Sequence, residues 1–144
     1  MDTGIEFFDS NILIATSVAR HIHHAQSMSR LASIPKGLGA CAAHSLAEVY
    51  AGVTRLPGGF RASREQAILF LSDMEEHLTI VSLDAAEYSA IIRQAAANGI
   101  LGATIYDALL AACAIKAKAE TIYTDNERHF RMFGPDVASR VRKP

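Results

Sequence analysis

Cysteine is scarce in this sequence: Cys41 and Cys113 are the only two in 144 residues. Both sit among Ala, Ile and Leu with no metal-ligating neighbour at useful spacing, so they read as reduced core side chains. That excludes a disulfide framework and fits a cytosolic compartment. No apolar run reaches membrane-spanning length, so no membrane partner is expected. The start, Met1-Asp2-Thr3-Gly4, has neither the charged nor the apolar region of a signal peptide. An excess of one charge sign is missing too. With 14 Lys and Arg against 15 Asp and Glu, the formal net charge is −1, which neither announces nor excludes a nucleic-acid partner. Gly99 and Gly102 form no phosphate-loop pattern, and no Ser-His-Asp or Cys-His arrangement supplies a protein nucleophile. Internal repeats, low-complexity segments and linkers are also lacking.

What remains is ordinary for a globular chain. Half the residues are apolar and a fifth are charged, which rules against disorder, and the length suits one domain over residues 1–144. Ile5-Glu6-Phe7-Phe8 is a β-prone run that stops at Asp9-Ser10-Asn11, where a helix can start. A second helix is predicted from Arg20 to Arg30, ended by Pro35-Lys36-Gly37. Leu38 to Ala43 reads as a buried strand, and Ser45 to Arg55 as a helix. After the Leu56-Pro57-Gly58-Gly59 loop, Ser63 to His77 reads as an amphipathic helix and Leu78 to Leu83 as a strand. Helix is expected again over Asp84 to Ala97, stopped by Asn98-Gly99, and over Thr104 to Lys118. The latter is apolar on nearly all sides, which predicts a central, buried helix. Thr121-Ile122-Tyr123-Thr124 is the last clear strand; the tail after Phe133 is less regular and basic. Alternating strands and helices predict an α/β fold with a mainly parallel sheet covered on both faces.

In such sheets function sits beyond the C-terminal strand ends. Asp9 and Asp125 fall at two of those ends. Glu48 and Asp107 fall in the first turns of helices predicted to begin on the same side. Each has a structural alternative. Asp9 reads equally as a helix cap, and Ser45-Leu46-Ala47-Glu48 and Thr104-Ile105-Tyr106-Asp107 both match the capping-box pattern. So do Ser63-Arg64-Glu65-Gln66 and Asp84-Ala85-Ala86-Glu87, to which no chemistry is assigned. Spacing alone leaves both readings open. The apolar surroundings of Glu48 and Asp107 favour chemistry, because charges there must be paired or bound to a cation, and no Lys or Arg lies close in sequence to Asp9 or Asp107. If the carboxylates meet, each like-charge pair at about 4 Å costs on the order of 4 kcal/mol at an effective dielectric of 20. A hard divalent cation, Mg²⁺ or Mn²⁺, resolves this with oxygen ligands alone. Such ions activate water and orient a phosphodiester, so no protein nucleophile is required.

At these residues the chain resembles the PIN-domain family, most closely the VapC-like toxins of bacterial toxin–antitoxin pairs. The resemblance covers essentially the whole chain. It rests on Phe8-Asp9-Ser10-Asn11-Ile12-Leu13, Ser45-Leu46-Ala47-Glu48-Val49 with Tyr50-Ala51-Gly52, Tyr106-Asp107-Ala108-Leu109-Leu110-Ala111, and Tyr123-Thr124-Asp125-Asn126 running to Arg128-His129-Phe130. It implies a three-layer α/β/α sandwich and cleavage of RNA with Mg²⁺ or Mn²⁺. Asp9 and Asp107 then resemble the main metal ligands, and Glu48 the third acidic residue, binding metal or orienting water. In the family a Thr is often followed two residues later by Asp or Asn. Here that residue is Asn126, with Asp125 between, so either Asp125 substitutes for the usual acid or three carboxylates suffice. Ser10, Asn11 and Thr124 are candidates to position the carboxylates. The resemblance also implies homodimers and a small co-expressed, VapB-like antitoxin that wraps around the toxin and blocks the acidic site.

His21, His23 and His24 invite a metal reading, but neighbouring helix positions point apart and no Cys or acid completes the set, so a solvated helix start is expected. Arg128 and Arg131, with Arg140, Arg142 and Lys143, either hold RNA phosphates near Asp125 or form a solvated tail. Ala67, Ile68, Leu71 and Met74 read mainly as core, with exposed parts of their helix, or of the Arg20–Leu31 segment, available to a dimer or antitoxin partner.

Overall fold

The computed structural model describes residues 4–144; the start that reads as lacking a leader, residues 1–3, lies outside them. Strand β1 (Ile5–Phe8) passes through Asp9 into helix α1 (Ser10–Ser17), and α2 (His24–Ser33) leads to β2 (Gly39–Ala42). Helix α3 (Ala43–Thr54) follows β2 directly; a 3₁₀ turn (Gly58–Phe60), α4 (Arg64–His77), β3 (Thr79–Val81) and α5 (Ala85–Ala97) come next. Then come α6 (Thr104–Lys116), β4 (Ala119–Tyr123), α7 (Glu127–Arg131), α8 (Pro135–Ala138) and β5 (Val141–Arg142).

The five strands form one sheet in the order β3-β2-β1-β4-β5, with every neighbouring pair parallel. Successive residues of a strand face opposite sides. Phe7 and Phe8, both fully buried, therefore enter two different cores. Phe7, Ala40, Ala42 and Ile122 pack with Leu110, Ala114 and Phe130 on one face. Phe8, Cys41 and Tyr123 pack with Ile12, Leu13, Val49 and Val53 on the other. Helices thus cover both sides of a parallel sheet, the three-layer α/β/α architecture expected from the alternating pattern. Cys41 and Cys113 are free and buried, and burial pushes their thiols up to about 12 and about 11.

From β1 the chain builds outward through β2 to β3, then returns to the other side of β1 with β4 and β5. The order reverses between β1 and β4, which opens a crevice at their C-terminal ends. Gly52, in the last turn of α3, faces Ile14 of α1. A Cβ there would stand 2.7 Å from Cδ1 of Ile14, so a larger residue would make the end of that side chain shift.

The elements differ from expectation in four places. Helix α3 starts at Ala43, not Ser45, which places Glu48 in its second turn. The second helix runs from His24 to Ser33 instead of Arg20 to Arg30. The tail forms α7, α8 and a two-residue fifth strand; pieces that short carry no periodicity. On α4, Ala67 and Met74 are buried, but Ile68 and Leu69 are 53% and 65% exposed, so that helix is less fully a core element than its pattern implies. The outermost strands, β3 and β5, have three and two residues.

Candidate metal centre

Asp9 sits at the crevice because β1 ends there. Its backbone N–H donates to the Tyr123 carbonyl of β4 at 2.9 Å, and its carbonyl accepts from Ile12 and Leu13. It is the N-cap residue of α1, as one reading expects, with Oδ1 accepting from the Ser10 N–H at 2.7 Å. Oδ2 accepts from the Thr124 hydroxyl, also at 2.7 Å. The carboxyl group is only 2% exposed. Burial pushes its pKa up to about 7 from an ordinary 3.8, against the pull of the Thr124 bond; the nearby charges of Asp107 and Glu48 raise it further. Asp9, Asp107 and Glu48 are therefore electrostatic neighbours.

Asp107 stands in the first turn of α6, as expected. Its Oδ2 accepts from Nδ2 of Asn126 at 3.2 Å and lies 3.1 Å from Nδ1 of His129. Asn126 is brought to it by Thr124, whose hydroxyl accepts from the Asn126 N–H at 2.8 Å while donating to Asp9. The intervening Asp125 points elsewhere. It lines a cavity of about 220 Å³ with His23, Gln26, Lys143 and Pro144. The turn after β4 thus joins Asn126 to Asp107 by a hydrogen bond.

Glu48 is held from α1. Ser10 Oγ donates to Glu48 Oε1 at 2.9 Å and shares a 2.8 Å hydrogen bond with Ser45 Oγ. Ser10 and Ser45 are both buried. His44 places Nε2 3.7 Å from the same Glu48 oxygen. Asn11 is exposed and stands outside these hydrogen bonds. The four capping patterns now separate. Ser63 with Gln66 and Asp84 with Glu87 form reciprocal capping boxes. Ser45 and Thr104 cap nothing: the N-caps there are Ala42 and Ala103. Sequence reasoning passed over His44, Ser45 and His129 as site residues. A signal was present for each, since His44 lies one helical turn before Glu48, Ser45 three residues before it, and His129 one turn after Asn126.

The donor set fits a hard cation. Asp9, Glu48 and Asp107 offer carboxylate oxygens, and among the described residues the basic side chains at ion-pair distance from Glu48 and Asp107 are His44 and His129. No three His, Cys, Asp or Glu side chains among the described residues close around one point. Mg²⁺ does not need such a cage, because it keeps several waters and takes one or two carboxylates. The basic end is largely matched by acids. Arg131 bonds Glu127 at 2.9 Å, Arg140 bonds Asp136 at 3.0 Å, and Lys143 lies 3.9 Å from Glu127. Arg128 is exposed. His23 stands at the N-cap position of α2 without a capping side-chain bond, and its ring lies 5.6 Å from that of His21.

A doubly wound parallel sheet with acidic residues at its switch point defines a class of α/β domain with a carboxylate-bearing crevice. Within that class, the chain belongs to the PIN domain family, whose model matches residues 7–133. No curated protein sequence matches it. Its fold is shared with VapC20 of Mycobacterium tuberculosis, a toxin that cleaves the sarcin–ricin loop. There the TM-score is 0.71 at 15% identity, over 86% of this chain and 92% of that one. It is also similar to a chain of VapBC2 from Rickettsia felis, solved bound to a DNA fragment of the promoter. That match has a TM-score of 0.67 at 21% identity, over 97% of this chain and 98% of the other. No helix among the described residues is long and apolar enough to cross a membrane.

Proposed function

We propose that this protein is a Mg²⁺-dependent endoribonuclease, the cytoplasmic toxin of a VapBC-type pair, with Mn²⁺ as an alternative cofactor. The observation that carries the reading is Asp9: a carboxyl group buried at the switch point, fixed by Thr124, and burdened by the charges of Asp107 and Glu48. Such a group is hard to ionise without a cation beside it. Membership of the PIN family and the fold shared with VapC20 support the same reading.

Asp9 and Asp107 would hold the ion. When bound, it supplies water activation and neutralises charge on an RNA phosphodiester. Glu48, steadied by Ser10 and Ser45, orients the attacking water and receives its proton. Thr124 fixes one face of Asp9, and Asn126 with His129 fixes Asp107. Arg128 and Arg131 stand on α7, just past Asn126, where they can bind strand phosphates. The exposed Ile68 and Leu69 of α4 offer an apolar surface for a second copy or a VapB-like antitoxin.

The deciding experiment is Asp9→Asn, assayed with RNA and Mg²⁺. Cleavage should disappear while circular dichroism stays native; full cleavage by this variant would remove Asp9 from the site. A second reading, a non-catalytic RNA- or protein-binding PIN-like domain, is motivated by the uncharged Asn126 at Asp107. Wild-type protein that binds RNA but cuts none with Mg²⁺ or Mn²⁺ would favour it.

A further inference from the structure

Two stacked rings stand beside the carboxylates. His44, on α3, and Tyr106, on α6, have centroids 5.4 Å apart and planes inclined by only 13°. Each ring is tied to an acid of the site. Tyr106 precedes Asp107 in the chain, and Nε2 of His44 lies 3.7 Å from Glu48 Oε1. The stack therefore runs from the α3 side of the crevice to the α6 side.

Packing alone does not account for it. The residues that follow on α6, Ala108 to Ala111, are buried, yet Tyr106 remains 48% exposed. His44 covers one face of its ring. The remaining exposure leaves aromatic surface open to solvent beside Asp107. Beside the carboxylates a polyanion meets charge of its own sign. The chain's net charge is −1, the crevice is acidic, and Arg131 and Arg140 are already paired with carboxylates. Arg128 of α7 is exposed and can meet a phosphate, and a contact to a base adds affinity that net charge does not supply.

We propose that the His44–Tyr106 stack is a platform for one unpaired nucleobase of the substrate strand, next to the phosphate presented to Asp9 and Asp107. This rests on the ribonuclease reading above and assigns one base contact of its substrate to these two side chains. A base inside a duplex is stacked on both faces and has none to offer; a splayed base has a free π-face. Stacking of this kind tolerates any base identity, so the platform selects strand structure more than sequence.

The test is binding, measured in EDTA so that nothing is cut. Fluorescence anisotropy of an end-labelled unpaired RNA oligonucleotide is compared with that of the same sequence in a duplex. Wild type should prefer the unpaired strand. Tyr106→Leu keeps apolar bulk but removes the π-face, and should weaken unpaired-strand binding roughly tenfold. Tyr106→Phe should restore it, and thermal melting reports whether each variant folds. Equal affinity of wild type and Tyr106→Leu overturns the platform, as does equal affinity for strand and duplex, or no binding by wild type. Loss of affinity for a protein partner with RNA binding unchanged would assign the rings to protein docking instead. Failure here is distinguishable from failure of the parent reading: wild type that still cuts RNA with Mg²⁺ keeps its nuclease role without the platform.

Discussion

Thr124 and Asp9, at the ends of adjacent parallel strands, are joined by a 2.7 Å hydroxyl-to-carboxylate hydrogen bond. The same hydroxyl accepts from the Asn126 N–H. One buried side chain thus sets both the acid of β1 and the turn after β4. Thr124→Val keeps the volume and removes both bonds. It should cost about 1–3 kcal/mol in urea denaturation, from leaving buried polar groups unpaired. Calorimetric Mg²⁺ affinity should fall about 10–100-fold, as for other residues that steady metal ligands. Unchanged metal affinity would show that Asp9 needs no such anchor.

Asp9 also sets a pH dependence. Its folded pKa is about 7, above the ordinary 3.8, chiefly through burial. The folded state therefore holds this proton more tightly than the unfolded chain does. Its contribution to stability is fully present below about pH 4 and is lost as pH rises through about 7, by up to about 4 kcal/mol. The Tm of metal-free protein should fall over that window. Mg²⁺ should recover much of the loss, and Asp9→Asn should abolish it. A metal-free wild-type Tm indifferent to pH between about 4 and 7 contradicts this.

Asn126 and Asp125 should behave differently despite being neighbours. Asn126 donates to Asp107, whereas Asp125 lines the cavity with His23 and Lys143. Asn126→Ala should reduce Mg²⁺-dependent cleavage about tenfold or more by freeing the Asp107 carboxylate. Asp125→Ala should reduce it less. The reverse order in a side-by-side cleavage assay would return Asp125 to the centre.

Ser63 and Ser45 test the difference between a cap and a site residue. Ser63 caps α4 in a reciprocal box far from any acid of the crevice. Ser63→Ala should lower stability by about 1 kcal/mol and leave the cleavage rate alone. Ser45→Ala removes the partner of Ser10, which holds Glu48. It should cut the rate about tenfold even after correction for stability. Equal rates for the two variants would detach the serines from catalysis.

These contrasts also show what was legible in the residues. β1 and β4 were plain because both are short β-prone runs that halt at polar residues, and Asp9 followed from where β1 stops. The four capping patterns were identical in sequence. They differ only in where each helix begins, and α3 starts two residues early because it follows β2 without a loop. The placing of Asn126 beside Asp107 depends on the hydrogen bond from its N–H to Thr124, which no spacing rule encodes. His129 was invisible as a site residue because α7 spans only five residues, too short for a periodic pattern. Strand β5 was missed for the same reason.

The brevity of the sheet's outer strands has a consequence for life at high concentration. An unpaired strand edge is a template for another chain, and long, flat edges seed aggregation. Here the longer strands β1, β2 and β4 are flanked on both sides, and the margins offer three residues at β3 and two at β5. Neither is long enough to recruit a foreign strand in register. Growth of the sheet by strand addition is thereby disfavoured at both margins.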